Sequence, residues 1–262
     1  MNLNKTLEKN FHIWDGIYSS FLEANTDVCG LGFHGKTWEE RSIKAANECI
    51  EALKENKPIP FFHKQRCIFL PSSLAMMIGT HEKLKVLDMG GGLGIGHMTI
   101  AESMPDHVNN IQYTIVEVPE ICKVGKELFS KNSNVTYLES VPCDRSFDFV
   151  YSASTLQYIE EWQQTLKSLG NTEAKYILLS DIFAGDIPTF VTLQNYYDSK
   201  IQHWFLNINE LISVMASIGY ELVMKCSAPS LRINIENILP MNNFPKSHRL
   251  KQTAHLLFNR RM

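Results

Sequence analysis

The chain is poor in cysteine, poor in uninterrupted apolar stretches and nearly balanced in charge. Its six cysteines, at positions 29, 49, 67, 122, 143 and 226 of 262 residues, contain no CxxC unit, and the nearest two lie 18 apart. That spacing excludes a zinc-ribbon framework and offers no dense disulfide scaffold, so reduced, mostly buried thiols are expected. The nine histidines are equally scattered, with no HExxH and no Cys/His cluster, and no metal is expected. The longest uncharged apolar stretch, Cys67 to Met77, is broken by Pro71, Ser72 and Ser73, so no segment spans a bilayer. Met1 to Asn10 lacks the apolar centre of a secretory signal, and a cytoplasmic location is expected. A net charge of −3 and a pI near 6.3 argue against a nucleic-acid surface. With 44% hydrophobic and 20% charged residues the composition is that of a globular protein, not a disordered one. The length suits one large domain, or one domain with a smaller cap.

What is present changes character near residue 80. The first eighty residues read as mainly helical. Thr37-Trp38-Glu39-Glu40 has the form of a capping box, and Trp38, Ala45, Ala46, Cys49, Ile50 and Leu53 recur at helical spacing to about Glu55. Pro58 and Pro60 end that helix. Upstream, the glycines around Trp14-Asp15-Gly16-Ile17-Tyr18 and Gly30 to Gly35 read as loop. From Lys83 the period alternates: strands at Lys85–Met89, Tyr113–Val116, Val135–Leu138, Phe147–Tyr151 and Tyr176–Ser180, with helices between them at Ile95–Ser103, after Pro119, and across Leu156, Ile159, Trp162, Leu166 and Leu169. Such alternation predicts a parallel sheet covered on both faces. The end differs: a helix over Glu210–Ile218, then strands at Tyr220–Met224 and Ala254–Asn259 with no helix between them, which can pair antiparallel at one edge. The expected fold is α/β: a Rossmann-like sheet of seven strands, mostly parallel, with an antiparallel carboxyl-terminal hairpin.

The strongest local signal is Asp88-Met89-Gly90-Gly91-Gly92-Leu93-Gly94-Ile95-Gly96, which follows a strand and opens a helix, where free N–H groups and glycine freedom favour a closely held ligand. A phosphate-gripping loop requires a lysine that is absent here. A dinucleotide loop requires a small third residue, where this chain has Ile95 or His97. The third pattern, DxGxGxG, is matched by Asp88, Gly90, Gly92 and Gly94 without a gap.

In these residues the chain resembles the class I S-adenosylmethionine-dependent methyltransferases. The resemblance implies that the loop, Gly91 included, wraps the methionine part of the cofactor and that Asp88 attracts its ammonium group. It also implies that Glu117, with Val118 beside it at the end of the second strand, receives the ribose hydroxyls. Glu139 and Ser140 then stand where the family often contacts adenine, and Ser152 and Gln157, with Tyr158, lie near the sulfonium. Across Trp14–Ser20, Gly90–Gly94, Val116–Glu120, Ser154–Tyr158 and Gly219–Leu222 the chain is similar to a family of bacterial methyltransferases met in surface-polysaccharide and lipopolysaccharide gene clusters, which implies a glycan-precursor acceptor. The expected division is a cap over 1–80 and a methyltransferase domain over 81–262, with a substrate-side insertion at 183–206.

Methyl transfer is an in-line displacement that demands alignment, exclusion of water and, for a hydroxyl acceptor, a base. The long connection after the fifth strand carries the candidates: His203 as base, Asp181 as alternative or orienting partner, and Tyr196, Tyr197 and Trp204 for the acceptor, joined from the amino-terminal segment by Trp14, Asp15 and His34. Lys246 to Lys251 and Arg232 are candidates to grip a phosphate of a linked sugar. Two alternatives stand beside catalysis: a non-catalytic cofactor-binding partner in glycan assembly, and an NAD-linked sugar-modifying enzyme, although neither Tyr158 nor Tyr176 has the lysine of a TyrxxxK pair. A homodimer is left open.

Overall fold

The computed structural model describes residues 11–79, 83–228 and 238–261. Its centre is a seven-stranded sheet built from β2 (Leu84–Met89), β3 (Ile111–Val116), β4 (Val135–Leu138), β5 (Phe149–Ala153), β6 (Tyr176–Ile182), β10 (Tyr220–Ala228) and β11 (Thr253–Arg260). The spatial order is β10-β11-β6-β5-β2-β3-β4. β2 to β6 run parallel, while β11 is antiparallel to both β6 and β10. The last strand in sequence is therefore inserted between two earlier ones. The central strands are apolar on both faces, and helices cover both. On one side α7 (Trp162–Gly170) and α8 (Ile208–Ser217) bury Leu166, Leu169, Leu211 and Met215 against Leu87, Val150, Ile177 and Leu179. On the other, α4 (Leu70–Ala75), α5 (Ile95–Ser103) and α6 (Pro119–Leu128) place Leu70, Ile100 and Cys122 over Val86, Ile115 and Phe149.

Three local expectations are corrected. Trp14–Tyr18 is not a loop but β1, and it pairs antiparallel with β8 (Phe190–Tyr196), which forms a hairpin with β9 (Ser199–Asn207). With the short β7 (Ala184–Gly185) these make a second sheet of order β1-β8-β9-β7, so the long connection after β6 is a built hairpin. Thr37 does not cap α2 (Lys36–Lys54): Gly35 is the cap residue, and the Thr37 hydroxyl donates to Asp198 Oδ2 at 2.9 Å, tying the helix to the hairpin. Leu156 lies in a separate 3₁₀ turn, Leu156–Tyr158, ahead of α7, because the chain must first return from the carboxyl end of β5.

The amino-terminal elements reach the centre from two sides. α2 buries Ala46, Cys49 and Ala52 against Leu93, Met98 and Ile121. β1 inserts Trp14 among Phe183, Phe190 and Phe205. No helix among the described residues is long and apolar enough to cross a membrane.

Candidate functional site

A cavity of about 1170 Å³ opens at the carboxyl ends of β2, β3 and β5, where ligands bind in open parallel sheets, and is walled on its far side by α2, β1 and β8. Its floor is the glycine loop. Gly90, Gly92 and Gly94 have φ of +71°, +56° and +78°, a conformation that side chains disfavour. A Cβ on Gly90 would also stand 2.1 Å from Thr155 Oγ1, so two separate reasons hold glycine at that position.

Asp88, at the end of β2, is buried, and its Oδ2 accepts the Tyr113 hydroxyl at 2.7 Å. Its Oδ1 is buried with no partner among the described residues. Burial pushes the Asp88 carboxyl up to about 7, against the bond from Tyr113 and with a smaller push from Glu117. Glu117, one residue beyond β3, accepts the Gly92 N–H at 3.0 Å and the Val118 N–H at 2.9 Å. Burial raises its pKa too, and the two N–H bonds oppose the rise. The Arg66 Nε is a buried donor without a partner among the described residues. Its residue is held in place by its own carbonyl, which accepts the Tyr151 hydroxyl at 3.0 Å. Asp88 and Arg66 both line the cavity, which thus carries an acceptor and a donor that are unanswered among the described residues. That arrangement fits a group carrying both an ammonium and a carboxylate.

The rest of the wall is largely aromatic. Phe33 packs on Tyr158 and Tyr196 with ring centroids 4.8 and 5.1 Å apart, and the Arg41 guanidinium lies 4.1 Å from the Tyr197 ring centroid. The Tyr158 hydroxyl donates to Gln194 Oε1 at 2.9 Å. At the rim, His34 Nδ1 lies 3.3 Å from Glu120 Oε2 of α6.

Among the sequence candidates, Asp88, Gly90, Gly91, Gly92, Glu117, Val118, Glu139, Trp14, Tyr196 and Tyr197 line this cavity. Gly94 stands behind the loop, where a Cβ would meet the Phe129 ring at 2.8 Å. Other candidates are placed elsewhere. Ser140 is exposed, away from the wall. Ser152 is buried and donates to Met89 O at 3.0 Å, a brace between β5 and β2. Gln157 is fully buried, with both amide atoms unpartnered among the described residues, and does not reach the cavity. Asp15, next to Trp14 on a strand, faces the opposite side, exposed and 4.0 Å from Lys200. Trp204 likewise faces away and stacks on Phe21 at 5.4 Å. His203 is fully buried behind the wall, ringed by Trp14, Tyr158, Phe183 and Phe205 at 4.5–5.9 Å. Asp181 is also behind it, bonded to Ser154, which does line the cavity. In the basic cluster, Arg249 donates to the carbonyls of Phe244 and Asn242, bracing its own loop. Arg232 lies outside the described residues.

Sequence reading missed Arg66, Arg41 and Phe33. Arg66 carries no local signature, since only tertiary packing brings it to the cavity that Asp88 also lines. Arg41 had one: with Trp38, Ala45 and Glu48 it recurs along a single face of α2, and that face lines the cavity. Among the described residues no group of three or more His, Cys, Asp or Glu is placed to hold a metal ion.

Neither a family model nor a curated protein matches the sequence. Solved structures do match the fold. One is the 1,6-didemethyltoxoflavin-N1-methyltransferase of Burkholderia thailandensis, solved with its namesake ligand and S-adenosylhomocysteine, at 13% identity over 86% of this chain and 90% of that one, TM-score 0.53. Another is the magnesium protoporphyrin IX methyltransferase of Synechocystis, at 14% identity over 76% and 84%, TM-score 0.50. A third is an S-adenosylmethionine-dependent methyltransferase of Clostridium acetobutylicum, at 10% identity over 76% and 92%, TM-score 0.50. At these identities the likeness is one of fold: the α/β sheet described above is the one on which these methyltransferases are built.

Proposed function

We propose that the chain is a methyltransferase that takes S-adenosylmethionine as methyl donor, and that its acceptor is a hydroxyl of a sugar in a surface-glycan precursor, methylated in the cytoplasm. The observation that carries the reading is the pairing of a glycine floor with the buried Asp88 Oδ1, unanswered among the described residues. The residues present fit the cofactor. Asp88 suits its ammonium and the Arg66 guanidinium its carboxylate. Glu117, once released from the Gly92 N–H, suits two ribose hydroxyls. Glu139 lies farther along the same wall, where the adenine end would fall. The cavity, about 1170 Å³, exceeds the ~300–1,000 Å³ usual for a single small-molecule site and leaves room for an acceptor.

When bound, S-adenosylmethionine supplies an electrophilic methyl group on a sulfonium. The chain's task is then to orient an acceptor oxygen in line and to exclude water. Tyr196 offers a face for a sugar ring, with the edge of Trp14 behind it, and the amides of Gln194 and Asn195 offer polar contacts beside it. The amino-terminal elements and the β8–β9 hairpin, fastened by Thr37 to Asp198, serve as one lid. Of the two candidate bases we favour Asp181 over His203, because Asp181 stands at the carboxyl end of a sheet strand whereas His203 is enclosed by four aromatic rings.

Calorimetric titration tests the reading. S-adenosylmethionine and S-adenosylhomocysteine are expected to bind at micromolar concentration and NAD not to bind, with affinity lost in Asp88→Ala and Glu117→Ala. Binding unchanged by both substitutions would place the cofactor elsewhere and defeat the proposal. Turnover with sugar acceptors, set against cofactor binding alone, separates the enzyme from a non-catalytic binding partner.

A further inference from the structure

Two carboxylates are buried among the described residues, Asp88 and Asp181. The proposed cofactor accounts for the first. The second sits in a setting that packing alone does not explain. Asp181 and Ser154 both adopt left-handed backbone, with φ of +52° and +54°, a conformation that is strained for side-chain-bearing residues and clusters at functional sites. They occur side by side. Ala153 and Ser180 are register partners across β5 and β6, and the Ser154 N–H donates to Ser180 O at 3.0 Å. The next residue on each strand is then Ser154 or Asp181, and the Ser154 hydroxyl donates to Asp181 Oδ2. Ser154 lines the cavity and Asp181 does not. Thr155, next in the chain, is packed against Gly90 of the glycine floor. A wall residue beside the loop thus connects, through its hydroxyl, to a buried carboxylate outside the cavity.

We propose that Ser154 and Asp181 form a proton relay for the acceptor, an inference that rests on the methyl-transfer reading above. As the acceptor oxygen forms its bond to the methyl carbon, the carbon–sulfur bond breaks and its electron pair stays on sulfur. The acceptor's proton passes to Ser154 Oγ while the Ser154 proton passes to Asp181 Oδ2. Ser154 is the catalytic residue of the pair and Asp181 acts through it. The relay calls for an acceptor bearing an O–H, and the methyl ether leaves neutral.

Ser154→Gly and Asp181→Asn are the informative variants, since glycine and asparagine tolerate left-handed backbone and the fold is retained. In the protein without ligand, the carboxyl carbon resonance of Asp181, assigned by its absence in Asp181→Asn, should move when Ser154 becomes glycine. With S-adenosylmethionine, both variants should bind within about threefold of the unmodified protein. With the best acceptor from a panel of methyl glycosides, each should lose about 10²–10⁴-fold in kcat, the range for one proton-transfer group, with the acceptor KM nearly unchanged. The double variant should be no slower than the slower single one. An unmoved Asp181 resonance, an unchanged kcat, or cofactor affinity lost together with activity would each overturn the relay, the last by showing a structural brace. Failure of the unmodified protein to bind S-adenosylmethionine would overturn the underlying reading and the relay with it. Normal cofactor binding with an unmoved resonance would overturn the relay alone.

Discussion

Asp88 links folding to pH in one side chain and, on the proposed reading, links both to binding. Holding it ionised inside the protein is unfavourable: the rise from 3.8 to about 7 corresponds to a cost on the order of 4 kcal/mol. An acid whose pKa is raised by folding holds its proton more tightly folded than unfolded. Each step of pH above the unfolded value therefore favours unfolding, until the folded value is passed. The protein without ligand should lose stability between about pH 4 and pH 7, and Asp88→Asn should flatten that slope; denaturant titrations across the range measure both. Binding of an ammonium group should reverse the effect by favouring the carboxylate. At pH 6.5, S-adenosylmethionine should then release a proton from Asp88, seen as a binding enthalpy that changes with the ionisation heat of the buffer.

The elements holding the site differ in how they tolerate change. Gly90→Ala meets both a backbone that disfavours it (φ +71°) and a hydroxyl 2.1 Å from its new methyl. It should cost about 1–3 kcal/mol and abolish cofactor binding, measured by thermal melting and calorimetry. Trp14→Ala should cost about 3–5 kcal/mol by emptying the space between Phe183 and Phe205 and loosening β1 from β8; loss of less than 1 kcal/mol would show that β1 is held by its backbone alone. The parallel sheet was legible because its strands are short apolar runs punctuated by glycine and by Pro119, and the loop was legible because only glycine suits its turns. β1 was not, since five residues with a central glycine show no period, and their partner strand lies more than 170 residues away. Trp204 and Asp15 suit an acceptor by residue type. On a strand, though, side chains alternate between faces, and without the register of β9 and β1 nothing in the sequence says which face looks inward. His203 is the converse case: it does face the interior, and four aromatic rings enclose it there.

At the scale of the whole molecule the cavity joins the sheet, the helical layer and the hairpin, so a ligand there should stabilise all of them together. At one hundred times its dissociation constant S-adenosylmethionine should add about 2.7 kcal/mol, raising Tm by roughly 5–10 °C for a protein of this size; no rise at saturation would contradict binding to the folded state. The placement of β11 between β6 and β10 has a consequence for synthesis. β6 ends at Ile182 and β11 begins at Thr253, so at ~5–20 residues per second the ribosome leaves the inner edge of β6 without its neighbour for roughly 4–14 s. During that interval the nascent chain presents a row of open amide and carbonyl groups along one of its most apolar strands, a template for pairing between chains. Yield in the cell should therefore depend on translation speed over residues 183–252 and on chaperone supply more than on the stability of the finished fold.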